Sequence, residues 1–234
     1  MADLDRWKLP GALALGGQRR PGAWLLEAEG GWALVGAPAG TARLLRSAGH
    51  EREVRLIFAI DPHRYHTDEL YAVATETGAP VYALAEATAA LEGQVSPPEV
   101  IENRRTPLLW PVGAFFAALG GRRRPVSKVR PLQSGTAPFE APSLRIYAIE
   151  GLAPGSGALI DEARHYLVLA GAASNGGDRL RLAPSREVRD PQAYRRSLSA
   201  ILSQPLAAVL FQLGPPLAGS AAIDRLRALV IPRE

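Results

Sequence analysis

The stretch Val54-Arg55-Leu56-Ile57-Phe58-Ala59-Ile60 constrains the fold more than any other. It is a nearly continuous apolar run carrying β-branched residues, and it reads as a strand buried on both faces. Such a strand needs a packed layer on each side. The run stops at Asp61, and a short polar cluster follows with His63, Tyr65 and His66. Two histidines and a carboxylate at the end of a buried strand form a candidate metal site, because imidazole nitrogens and carboxylate oxygens are the common ligands of zinc, manganese and iron.

The rest of the chain supplies the layers. "ALALGG", "AWLLEAEG" and "WALVGAP" read as early strands, and Glu29-Gly30-Gly31 between the last two signals a hairpin. "TARLLRSAG" predicts a short helix stopped by Gly49. After the polar cluster, Thr67 is placed to cap a helix running to about Thr77 and ended by Gly78. "PVYAL" predicts a strand and "AEATAALEG" a helix. "TPLLWPVGAFFAALGG" reads as a helix, and the Gly/Pro-rich stretch after it as loop with short strand pieces. Strands resume with "LRIYAIEG", "SGALIDE" and "RHYLVLAG". Asp190-Pro191 forms an N-cap and first-turn pair for a helix with Tyr194, Leu198, Ile201 and Leu202 on one face. "AAVLFQLG" is a further buried strand. Ser220 is placed to cap a last helix with Ile223, Leu226 and Leu229 on one face. Each half runs through strands and then alternates strand and helix. This predicts two mixed sheets packed together with helices outside, in a single domain over residues 1–234.

Composition narrows the chemistry. The chain of 234 residues has no cysteine, which excludes disulfides, thiolate metal sites and a cysteine nucleophile. No apolar run approaches the roughly 18 residues of a membrane span, and the N-terminal stretch makes a poor signal peptide. A cytoplasmic, soluble protein with no membrane partner is expected. The formal charge is +4 and Lys8 and Lys128 are the only lysines. Together with the Ala, Leu, Gly and Pro content, this arginine bias reads as the mark of a GC-rich bacterial genome. "GGRRRPVSKVRP" gathers Arg122, Arg123, Arg124, Lys128 and Arg130, with Arg104 and Arg105 earlier in the chain. Aromatic residues do not interleave with them, so single-strand stacking is not supported. Nucleic acid is retained only as an alternative partner for this loop.

The order and spacing of several segments resemble the metallo-β-lactamase-fold hydrolases, from about Gly22 to Val230. The segments are "AWLLEAEGGWALVGAPAGTARLL", "ETGAPVYALAEATAALEG", "EGLAPGSGALIDEARHYLVLAG" and "LFQLGPPLAGSAAIDRLRAL". The resemblance implies a four-layer αββα sandwich of two mixed sheets, of α/β (α+β) class. It also implies a pair of metal ions at one edge, held on loops at strand ends, that activate a water. Its first motif, H-x-H-x-D-H, falls on Asp61 to His66. Two of the four ligand positions, His63 and His66, match. Asp61 stands for the first histidine and remains a candidate ligand. Tyr65 stands for the aspartate and is not a zinc ligand at neutral pH, with an ordinary pKa of about 10. At the second histidine, the bridging aspartate and the last histidine stand Leu152, Ala172 and Leu213. Gly36 replaces the aspartate after the third strand. Apolar side chains at three of these places dry a pocket and leave nothing to coordinate.

The resemblance therefore implies a degenerate member, a pseudoenzyme that has lost its binuclear centre and keeps a binding or structural role. Its partner is expected to be a small molecule, another protein or a second copy of the chain. Two enzyme alternatives stand beside it. One is an atypical hydrolase with a single weakly held Zn, Mn or Fe at Asp61, His63 and His66. The other is a metal-free site using Tyr65 as a general acid. "SNGGDRL" lacks the strand–G-x-G-x-x-G–helix context of a nucleotide site. By the resemblance it lies beside the old centre, which makes Ser174 and Asn175 candidate ligand-binding residues. His50 and His165 read as a helix-end and a turn histidine, outside any site.

Overall fold

The computed structural model describes residues 7–17, 21–95, 124–177 and 179–231. The helix expected at "TPLLWPVGAFFAALGG", with Arg104, Arg105, Arg122 and Arg123, lies outside the described residues. The first sheet has seven strands in chain order. These are β1 (Lys8–Leu9), β2 (Ala12–Leu15), β3 (Ala23–Ala28), β4 (Gly31–Val35), β5 (Val54–Ala59), β6 (Val81–Leu84) and β7 (Val129–Leu132). It is antiparallel from β1 to β4 and parallel from β4 to β7. The switch follows from the connections. Gly30, in the left-handed region at φ 73°, closes the tight β3–β4 turn. Helical crossovers serve the parallel β4–β5 and β5–β6 steps: α1 (Thr41–Ala48), and then α2 (Arg64–Thr67) with α3 (Leu70–Thr77). Helix α4 (Ala85–Leu91) follows β6.

The second sheet has five strands in the order β14 (Leu217–Ala218), β13 (Ala208–Phe211), β10 (Tyr166–Leu169), β9 (Gly157–Asp161) and β8 (Leu144–Ala148). A two-stranded ribbon, β11 (Ala173–Asn175) with β12 (Leu180–Leu182), lies between β10 and α5 (Pro191–Leu202) in the chain. Helix α6 (Ser220–Val230) ends the described chain.

Alternation along the strands builds three cores. Trp24, Leu26, Leu56, Phe58 and Ile60 of the first sheet meet Leu159, Val168 and Leu210 of the second, all buried. The opposite faces, with Leu25, Ile57 and Ala59, pack on Leu45, Leu70, Val73 and Ala87 of α1, α3 and α4. Leu167, Leu169 and Val209 pack on Leu198, Ile201 and Leu226 of α5 and α6. Three cores between four layers make an αββα sandwich, as the hydrophobic pattern predicts. Two bonds tie the sheets together at the end of β5. Trp24 Nε1 donates to Phe211 O at 2.8 Å, and Gly157 N donates to Ile60 O at 2.7 Å.

Two helix starts differ from expectation. Thr67 does not cap a helix to Thr77. It ends α2, its hydroxyl donating to His63 O at 3.1 Å, and α3 begins at Leu70. The break exists because Glu69 is used elsewhere. Its backbone N–H bonds Ala37 O, and its carboxylate accepts the Gly40 and Ala42 N–H groups at 2.8 and 2.9 Å, holding the start of α1. Ser220 is the first residue of α6, with Gly219 in the cap position and no side-chain cap. Leu229 is 43% exposed and Val230 takes its place in the core, because the third turn of a 3.6-residue period returns to position 230.

A candidate metal centre filled by its own side chains

The end of β5 delivers Asp61 to the seam between the sheets, and its carboxylate is consumed there. Asp61 Oδ1 accepts the His63 backbone N–H at 2.9 Å and lies 2.5 Å from His63 Nδ1. Oδ2 accepts Gly171 N at 3.3 Å. Only glycine permits this last approach, since a Cβ at position 171 would lie 2.7 Å from Asp61 Oδ2. His63 begins α2. The next turn brings His66 back beside it, with His66 N bonded to His63 O at 3.0 Å. Asp61, His63 and His66 are buried, while Tyr65 is 41% exposed. The Tyr65 ring lies parallel to His63 at 6.0 Å and edge-on to His66 at 5.5 Å.

Sequence reasoning missed Gln212. It follows β13 directly, is fully buried, and sends its side chain across to the end of β4. Gln212 Nε2 donates to Val35 O at 3.3 Å. It occupies the space a side chain at position 36 would need, because a Cβ on Gly36 would collide with Gln212 Nε2. Gly36 also sits in the left-handed region at φ 78°. The place of the aspartate expected by resemblance at 36 is thus filled from the other sheet. The one available signal was a polar residue ending an apolar strand. The Gln212 amide favours the protonated form of His66, against the effect of burial. Among the described residues, His66 Nδ1 and Gln212 Oε1 have no hydrogen-bond partner.

Leu152 and Ala172 are buried in the same core cluster. Ala172 O accepts the Tyr194 hydroxyl at 2.6 Å and Ala183 N at 2.9 Å. Leu213 is half-buried and its carbonyl accepts Asn175 N at 3.0 Å. Asn175 uses its amide internally: Nδ2 donates to Pro215 O at 2.8 Å and Oδ1 accepts Gly177 N at 3.1 Å. Ser174 is half-buried in the β11–β12 ribbon, opposite Arg181. His50 pairs with Glu53 at 2.6 Å, and His165 is exposed in a turn at φ 58°.

Electrostatics follow from burial and pairing. Burial pushes the Asp61 carboxyl up, but His66 and the His63 bonds outweigh it and hold it below the usual carboxylate range. Burial pushes His63 down, but the Asp61 bond and charge outweigh it and hold its pKa above the usual histidine value. Burial dominates at His66, whose neutral form is favoured. A second carboxyl, absent from the sequence reading, joins the site. Glu187 precedes α5, its side chain is only 13% exposed, and burial raises its pKa against the pull of His63 and Arg186.

A metal ion needs donor lone pairs converging at about 2.0–2.2 Å from one point. Here the nearest nitrogen and oxygen donors point at each other. Among the described residues no three His, Cys, Asp or Glu side chains are grouped to hold an ion. The arrangement does not fit the metal pair that the fold implies.

Comparison with solved structures gives the fold a name. TTHA1429, a metallo-β-lactamase family protein from Thermus thermophilus, matches at a TM-score of 0.66 and 18% identity, over 94% of this chain and 79% of that one. The metallo-β-lactamase MIM-2 matches at 0.66 and 15%, over 94% and 84%. TTHA1623, solved in a di-iron-bound form, matches at 0.62 and 21%, over 85% and 89%. The fold is metallo-β-lactamase-like. No family model and no curated protein matches the chain.

Proposed function

We propose that this metallo-β-lactamase-like fold is a pseudoenzyme: it carries out no metal-dependent hydrolysis and serves in the cytoplasm as a binding or structural protein. The observation that carries the reading is the saturation of the old centre from within. Asp61 spends both oxygens on His63 and Gly171, and Gln212 fills the slot at Gly36. Leu152, Ala172 and Leu213 supply no ligand. The described cations of the arginine loop are separate in use, which favours a small molecule or protein partner over nucleic acid. Arg130 pairs with Glu140 at 2.9 Å, whereas Arg124 stands over the Tyr71 ring at 5.8 Å.

One observation favours a second reading. His66 Nδ1 is a buried nitrogen without a partner among the described residues, and a single weakly held Zn, Mn or Fe would take it. Thermal unfolding of chelator-treated protein with and without zinc separates the two. An ion that binds the folded state at about 100 times its Kd adds roughly 2.7 kcal/mol, a rise of roughly 5–10 °C in Tm for a chain of this size. The pseudoenzyme reading predicts no rise. A rise abolished in the His63→Ala, His66→Ala variant establishes the single-ion site instead.

A further inference from the structure

A pocket of about 180 Å³ opens on the helical face of the first sheet, between α3 and the segment entering β7. It is separate from the Asp61 centre in every lining residue. Its floor is apolar: Ala79, Val81 and Val126 line it and are buried. Its rim is polar, with Tyr71, Thr75, Ser127 and Lys128. Beside the rim, the Arg124 guanidinium stands 5.8 Å from the centre of the Tyr71 ring.

The charges at this rim lack counter-charges among the described residues. Arg46, Arg130, Arg145, Arg164 and Arg227 each pair with a carboxylate at 2.8–3.0 Å. Among the described residues Arg124 and Lys128 form no ion pair. The nearby acids are committed elsewhere: Glu76 pairs with Arg46, and Glu92 accepts the Val129 N–H and the Gln94 amide. A volume of about 150 Å³ accepts one benzene ring, so this pocket holds one ring or a short alkyl chain. An apolar floor takes such a body, and Lys128 with three rim hydroxyls takes a carboxylate or similar anionic head, with Arg124 beside the rim over the Tyr71 ring.

We propose that this pocket binds a small amphiphilic monoanion, a one-ring or short-chain carboxylate, with Lys128 as its principal charge partner. The inference does not depend on the state of the Asp61 centre. The test is an amide-resolved NMR titration of the full chain with benzoate, with benzyl alcohol as the neutral match in size. Benzoate is expected to shift the Thr75, Ser127 and Lys128 amides saturably. Lys128→Ala is expected to weaken it about tenfold, the loss of one charge-assisted hydrogen bond, and added salt is expected to weaken it further. Amide spectra of the variant confirm that it is folded. Equal binding of benzyl alcohol overturns the proposal, as does unchanged benzoate affinity in Lys128→Ala. So does the absence of saturable shifts at these three amides.

Discussion

Gln212 and Gly36 act as one unit, and their coupling is measurable. Gly36→Ala places a methyl group against the Gln212 amide in a backbone region hostile to side chains, and should cost about 2–4 kcal/mol. Gln212→Ala leaves a buried void and strands its neighbours, for about 1–3 kcal/mol. Because Gln212→Ala removes the obstacle, the double variant should lose about 1 kcal/mol or more less than the sum, in urea unfolding. Strict additivity would mean the two do not share a slot. The Asp61–His63 pair gives a second prediction at this scale. The Asp61 pKa is lowered, so its contribution is present above its unfolded value, about 3.9, and is lost as pH falls through the folded value. The His63 pKa is raised, so its contribution is complete below about 6.5 and is lost as pH rises through the folded value. Relative to Asp61→Asn and His63→Gln variants, the protein should gain most between about pH 4 and 6.5. His66, depressed by burial, titrates in the opposite sense, which is why the comparison is made against these variants. A gap that does not change with pH contradicts the pair. The sequence showed Asp61, His63, Tyr65 and His66 as a cluster because they are local. It did not show Gln212 or Glu187, since each reaches the site from a distant segment and nothing in its own neighbourhood marks the destination.

At the scale of elements, local chemistry was legible wherever one residue sets a boundary. Asp190 caps α5 with bonds to Gln192 N and Ala193 N at 2.9 and 3.0 Å, and Pro191 occupies the first turn. Asp190→Ala should therefore cost about 1 kcal/mol, read as a lower urea midpoint with an unchanged slope; no change would show the cap to be idle. Gly49 and Gly78 end α1 and α3 in the left-handed conformation, as expected from their positions. Legibility failed where tertiary contacts decide. Thr67 had the right residue type for a cap, but Glu69 is drawn to the start of α1 and divides the helix. The spacing of Ile223, Leu226 and Leu229 had the right face and one wrong member, since the 3.6-residue period reaches Val230, which is buried, and leaves Leu229 exposed.

At the scale of the whole molecule, patterning predicts two mixed sheets with helices outside, and the family resemblance adds the four-layer order. Alternating strands such as β3 send Trp24 and Leu26 to one core and Leu25 to another, and this demands a layer on each side. The fold still brings five segments to the end of β5: the loop after β4, the Asp61–His66 turn, Gly171, Gln212 and the loop carrying Glu187. TTHA1623, which has a similar fold, was solved in a di-iron-bound form. In this chain hydrogen bonds such as Gly171 N to Asp61 and Gln212 Nε2 to Val35 O join these segments. The direct measurement is the metal content of the purified protein, by elemental mass spectrometry, after brief incubation with zinc, manganese or iron and desalting. The His63→Ala, His66→Ala variant is measured beside it. The account predicts near-zero metal in both. About one ion per chain, lost in the variant, would contradict it.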